Sequence, residues 1–170
     1  AAARPTHDLG RGDWMRRGLA TCLAETDRRG LSGNVRLVRS DAATLLERGF
    51  AAAPTFDEAH FFFPDPWRGS LERRVLRPDV VADLSARMRP CGCLRVATDV
   101  RGYPEQIREA VATCGASWEE VACEALEAQR GPGFVRPSTR YAREAAEAGR
   151  DVEELCFVFG GASGGDGEPS

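Results

Sequence analysis

Residues 58–67 read Glu-Ala-His-Phe-Phe-Phe-Pro-Asp-Pro-Trp, and the way this stretch ends decides how the chain is read. Phe61, Phe62 and Phe63 form a continuous apolar run, as a buried strand shows. Pro64 and Pro66 then stop it, because each lacks the N–H a sheet ladder needs. A strand that ends in a rigid turn carrying one carboxylate, Asp65, suits an open α/β sheet. In such sheets ligands sit beyond the carboxyl ends of the strands.

Working outward, the same pattern recurs on both sides. Upstream, Met15 to Arg29 has Leu19, Cys22 and Leu23 at helical spacing, with Gly30 as a stop. Asn34 to Arg39 alternates and reads as a strand, and Asp41 to Arg48 reads as a short helix ended near Gly49. Downstream, Pro78 to Met88 fits a helix with Pro in its first turn. Cys91-Gly92 turns the chain, and Cys93 to Thr98 is a further strand. Tyr103 to Cys114 is an amphipathic helix, Trp118 to Val121 a strand, Ala128 to Arg136 a loop, and Leu155 to Phe159 the last strand. Strands alternating with helices predict a mostly parallel sheet covered on both faces. Asp41, Asp65 and Asp99 each follow one of these strands. Each alone is equally a helix cap; three in successive units point to a site on one rim.

The bulk properties set limits. A chain of 170 residues suits one domain, expected over residues 1–160, with the Gly-rich acidic residues 161–170 as a disordered tail. Hydrophobic residues make up 42% and charged residues 29%, ordinary for a globular protein. A net charge of -3 excludes a generally basic surface, so any RNA contact has to be local. Six scattered cysteines without a Cys-x-x-Cys pair predict reduced intracellular thiols and no metal site. No apolar run reaches membrane-spanning length, so no membrane partner is expected.

Phe61 to Trp67 resembles the signature of the tRNA (guanine-N7)-methyltransferase family, an apolar pair followed by Pro-Asp-Pro-Trp. The likeness continues in order. Arg73-Arg74-Val75-Leu76 resembles the family's entry to its next helix, and Arg95-Val96-Ala97-Thr98-Asp99 with Tyr103 its Ala-Thr-Asp strand end. Arg136-Pro137-Ser138-Thr139-Arg140-Tyr141 resembles its late Arg-Pro-x-Thr segment, and Gly30-Leu31-Ser32, Asn34-Val35-Arg36 and Asp41-Ala42 its adenine-side passage. Four ordered motifs make a small-molecule methyltransferase on the same sheet the weaker reading.

The resemblance implies an α/β, Rossmann-like class I methyltransferase sheet, S-adenosyl-L-methionine as cofactor and tRNA as substrate, with a non-catalytic protein subunit as a further partner. It implies Asp65 as the catalytic acid that orients the guanine. Asp13, Asp41, Ala42, Phe62, Thr139 and Tyr141 would lie on the cofactor, and Asp99, Arg68, Arg140, Arg73 and Arg74 on the RNA. Trp67 is read either as a base-stacking surface or as a buried aromatic under the loop.

The family's first strand and Gly-rich loop have no evident counterpart. By spacing, Asp13 falls where the ribose-binding acid belongs; on the other reading, Asp8 to Gly12 is a remnant of the loop itself. Gly69 or Arg68 stands where a Lys is usual, and Ala142 replaces the acid that closes the late motif. These departures support the alternative of a catalytically impaired remnant acting as an RNA-binding scaffold.

Overall fold

The computed structural model describes residues 9–12, 16–50, 53–131 and 136–162. These fall into two compact units, Ala1–Phe50 and Ala51–Ser170.

In the first unit, β1 (Leu9–Gly12) and β2 (Val35–Val38) pair in parallel, joined by α1 (Arg16–Arg28). Glycine suits the exit from α1, because Gly30 adopts φ +66° there. Asp41 caps the next turn: its carboxylate accepts from the Thr44 N–H at 3.1 Å. That turn is α2 (Ala42–Thr44), running into a π-turn over Leu45–Gly49. Gly10-Arg11-Gly12 lies within β1. Asp13 itself lies outside the described residues.

The second unit is built on a four-stranded sheet in the order β3-β4-β6-β5. Its strands are β3 (Phe56–Phe62), β4 (Met88–Thr98), β5 (Ala116–Val121) and β6 (Glu153–Ala162). β3 and β4 run parallel, whereas β6 pairs antiparallel with both β4 and β5. The sheet is therefore mixed, which corrects the mostly parallel expectation. Strand alternation gives the two faces of β4 different chemistry. Leu94 and Val96 share one face with Leu155, Phe157 and Phe159 of β6, all buried. Trp118 joins this face, its ring 4.9 Å from Phe159 and its Nε1 donating to Ser85 Oγ of α3 (Pro78–Ser85) at 2.9 Å. On the other face, Cys93 and Cys156 pack against Leu126 of α5 (Cys123–Arg130).

Several boundaries differ from the sequence reading. The strand buried throughout is β4 from Cys93 to Thr98, whereas Phe61, Phe62 and Phe63 are only half-buried. The helix expected to Met88 stops at Ser85, because Met88 already opens β4. Ala128–Arg130 continue α5 where a loop was expected, and Gly161 and Ala162 extend β6 into the expected tail, whose remainder (163–170) lies outside the described residues. The unit also contains α4 (Tyr103–Thr113) and α6 (Arg140–Glu147). Cys123 and Cys156 stand as a disulfide with Cα atoms 5.4 Å apart, which corrects the expectation that every thiol is reduced. Among the described residues, no helix is long and apolar enough to cross a membrane.

Gly92 is where β4 bends before its regular stretch. A Cβ there would stand 2.7 Å from Met88 Cε, 2.8 Å from the Arg89 carbonyl oxygen and 3.1 Å from that of Asp57. Two of these neighbours are backbone and cannot swing aside. Gly92→Ala should therefore lower stability by about 1–3 kcal/mol, read as a shift in the urea midpoint at unchanged slope.

Candidate functional site

Because β3 and β4 are parallel neighbours, the chain leaves both at one edge of the sheet. Asp65, three residues past β3, and Asp99, one past β4, emerge there. This brings together two of the three predicted rim carboxylates within one unit. Asp41 belongs to the other unit.

The turn that carries Asp65 is fixed by its backbone. The Phe63 N–H donates to the Ala97 carbonyl at 2.7 Å, one step beyond the end of β3. Arg74 Nε donates to the Pro66 carbonyl at 2.7 Å, and the Ser70 N–H to that of Trp67 at 2.9 Å. Phe63 and Trp67, which bracket Pro64-Asp65-Pro66, take φ of +53° and +36°. Non-glycine residues enter that region at a penalty and persist there only where their surroundings hold them. The Asp65 side chain is exposed at the centre of this turn.

Arg74 needs correction as an RNA contact. It is 5% exposed, its Nη1 donates to Gln106 Oε1 at 2.6 Å, and its guanidinium lies 4.3 Å from the Tyr103 ring. Its work is to hold the turn onto α4, so a phosphate has no access to it. Arg73 is exposed and stacks on the Trp67 indole at 3.6 Å. Arg68 is exposed beside them, and Arg140 is exposed in a pair with Glu144 at 2.5 Å. Asp99 accepts from Arg150 Nε at 2.7 Å.

The late motif docks on the same edge. Tyr141 stacks on Phe63 with ring centroids 5.8 Å apart, and the Arg136 guanidinium lies 5.6 Å over the same ring. Thr139 caps α6 by accepting from the Ala142 N–H at 3.1 Å. Phe62, half-buried, packs with His60 at 5.3 Å.

Sequence reasoning missed the charge chain behind this edge. Arg136 Nε donates to Glu154 Oε1 at 2.6 Å, while Glu154 Oε2 accepts from Arg95 Nη2 at 2.8 Å. Arg95 also reaches Glu127 at 2.5 Å. Burial pushes the Glu154 carboxyl upward, but the hydrogen bonds from Arg136 and Arg95 outweigh it and hold the group below its ordinary value. The available signal was Arg95 itself, a charge in the middle of the apolar run Cys93 to Thr98, which demands buried partners. An open cleft of about 720 Å³ adjoins this chain, lined by Arg95, Glu120, Glu124, Glu127, Glu153 and Glu154. Its excess of carboxylates repels phosphate, and none of the predicted site residues lines it.

A family model described as "Putative methyltransferase" matches residues 3–155. The tRNA (guanine-N(7)-)-methyltransferase of Burkholderia cenocepacia (strain HI2424) is 34% identical over 160 residues, covering 92% of this chain and 60% of that protein. The enzyme of the same name from Nocardia farcinica is 37% identical over 172 residues, covering 94% and 61%. This chain thus spans about 60% of the length of such curated relatives. Among solved structures, the 16S rRNA methyltransferase KamB superposes with a TM-score of 0.58 at 18% identity, covering 92% of this chain and 78% of that one. At that identity the likeness concerns the fold alone, a class I methyltransferase-like α/β arrangement.

Proposed function

We propose that this chain, which belongs to the methyltransferase family matched over residues 3–155, is the larger part of an enzyme that transfers a methyl group from S-adenosylmethionine to N7 of a guanine in tRNA. The observation that carries the reading is the Asp65 turn: an exposed carboxylate on a backbone held from three sides, at the edge where Asp99 also emerges.

When bound, S-adenosylmethionine supplies an electrophilic methyl on a sulfonium. Guanine N7 carries a lone pair and no proton, so no side chain has to act as a base at that atom. The protein's task is alignment and charge stabilisation. Asp65 accepts hydrogen bonds from the guanine N1–H and N2 amino group and favours the purine as it becomes cationic. Asp99 holds the base from the neighbouring strand end, its own position set by Arg150. Arg68 and Arg73 meet phosphates. Thr139, Arg140 and Tyr141 close the site from the late motif, docked through Phe63.

For the cofactor, the adenosine end finds fitting groups. Asp41 uses one carboxylate oxygen on Thr44 and stays exposed, so the other is open to an adenine amino group, beside Ala42. Asp13, by its place in the sequence after β1, would hold the ribose. On this reading β1 is the family's second strand. The first strand and its Gly-rich loop, whose N–H groups hold the methionine part, have no counterpart among the described residues. Residues 1–170 alone should therefore bind S-adenosylmethionine more weakly than micromolar, that is, with less than about 8 kcal/mol. Isothermal titration checks this, and micromolar binding would show that another segment serves as the loop.

The scaffold alternative draws on Ala142, which offers only its backbone N–H to Thr139 where the family has an acid. Label transfer from the methyl-labelled cofactor to unmodified tRNA by the intact protein separates the two. Incorporation supports the enzyme; tRNA binding without incorporation supports the scaffold.

A further inference from the structure

Trp67 is presented outward, in contrast to Trp118, whose indole N–H and ring are both engaged inside the sheet layer. Trp67 is 37% exposed although its backbone is anchored by Ser70 on one side and, through the Pro66 carbonyl, by Arg74 on the other. The φ of +36° is a conformation an indole residue rarely adopts, so the turn holds this side chain at a penalty in order to place it there. One face of the ring carries the Arg73 guanidinium at 3.6 Å. Among the described residues, no carboxylate is paired with Arg73 or with Arg68, whereas Arg77, Arg108, Arg140 and Arg150 each hold at least one. The turn thus combines a rigid aromatic plane, a cation stacked on it and a second uncompensated cation one residue away. All three lie within eight residues of Asp65 in the chain.

We propose that Trp67, backed by Arg73, is a stacking subsite for an unpaired nucleobase of the RNA substrate that neighbours the guanine held by Asp65. This rests on the reading of an RNA substrate given above and adds to it a second base contact. Base–aromatic stacking is tolerant of sequence because every base has a π-face. The guanidinium on the indole adds a cation–π contribution and remains available to a flanking phosphate. Trp67 and Arg73 then do separable work. The ring supplies salt-independent affinity, and the guanidinium supplies the part that weakens as salt displaces it.

The test uses the intact protein and a fluorescein-labelled, unstructured RNA hexamer. Affinity is read by anisotropy across a range of salt, and contact by tryptophan emission. The expected result is quenching of emission in the parent and its loss in Trp67→Phe. Trp67→Ala should bind about tenfold more weakly, with the slope of log affinity against log salt unchanged, and Trp67→Phe should recover most of the affinity. Arg73→Gln should instead reduce that slope by about one. Since Trp67 is exposed, the melting temperatures of the Trp67 variants should match the parent. If the hexamer binds the parent and Trp67→Ala alike, the stacking subsite is overturned and the RNA reading stands. If neither protein binds the hexamer, the RNA reading falls and the subsite with it.

Discussion

Asp65→Asn should lower methyl transfer by the intact protein about a hundredfold while leaving cofactor affinity within twofold of the parent. The substitution keeps the size of the side chain and one acceptor oxygen, and the turn that holds it depends on backbone atoms of Phe63, Pro66 and Trp67. What is lost is negative charge beside a base that becomes cationic only as the methyl transfers. An interaction that strengthens toward the transition state acts on turnover more than on binding. Removing one preorganised group of this kind costs on the order of 3 kcal/mol, hence the hundredfold figure. Asp57→Ala is the control: Asp57 pairs with Arg89 on the exposed surface and should change turnover little. Parent-like turnover in Asp65→Asn would make Asp65 a turn residue only.

The largest effect on stability should come from Arg95→Met. Arg95 is 2% exposed and is the common partner of Glu127 and Glu154, which are each 25% exposed. Methionine fills much of the volume and supplies no donors, so Glu127 loses its Arg95 partner and Glu154 keeps only Arg136. Removing one member of a buried pair destabilises by about 3–5 kcal/mol. Arg140→Ala breaks an exposed helical pair with Glu144 and should leave the urea midpoint essentially unchanged. Urea unfolding of the two variants gives the comparison directly. Equal midpoints would mean that the Arg95 chain contributes no more than a surface pair.

These two residues also mark the limits of what could be read before the fold was known. Asp65 was legible because its signals are local: an apolar run, two prolines, and an acid between them. Its meeting with Asp99 followed from a single inference, that successive strands separated by a helix lie parallel and share a carboxyl edge. The elements α1, β2 and α4 were legible for a similar reason, since their periodicity is carried within one segment. The antiparallel return of β6 was not, because nothing in Glu153–Ala162 states which strand it will join. α5 and α6 escaped because each buries a single residue, Leu126 in one and Ala145 in the other, which leaves no apolar stripe to count. Arg74 and Arg73 are adjacent and chemically identical, yet one is buried under the turn and the other stacks on Trp67. Only packing separates them. The partners of Arg95 lie 32 and 59 residues away in sequence, so the need for them was visible and their identity was not.

Product identity tests the central claim most directly. tRNA lacking the modification is incubated with the intact protein and S-adenosylmethionine, digested to nucleosides and analysed by mass spectrometry against authentic standards. The proposed role of Asp65, to hold a guanine by its N1–H and amino edge and leave N7 toward the methyl, predicts 7-methylguanosine as the product. Methylation at another atom, or bound tRNA that stays unmethylated, would contradict it.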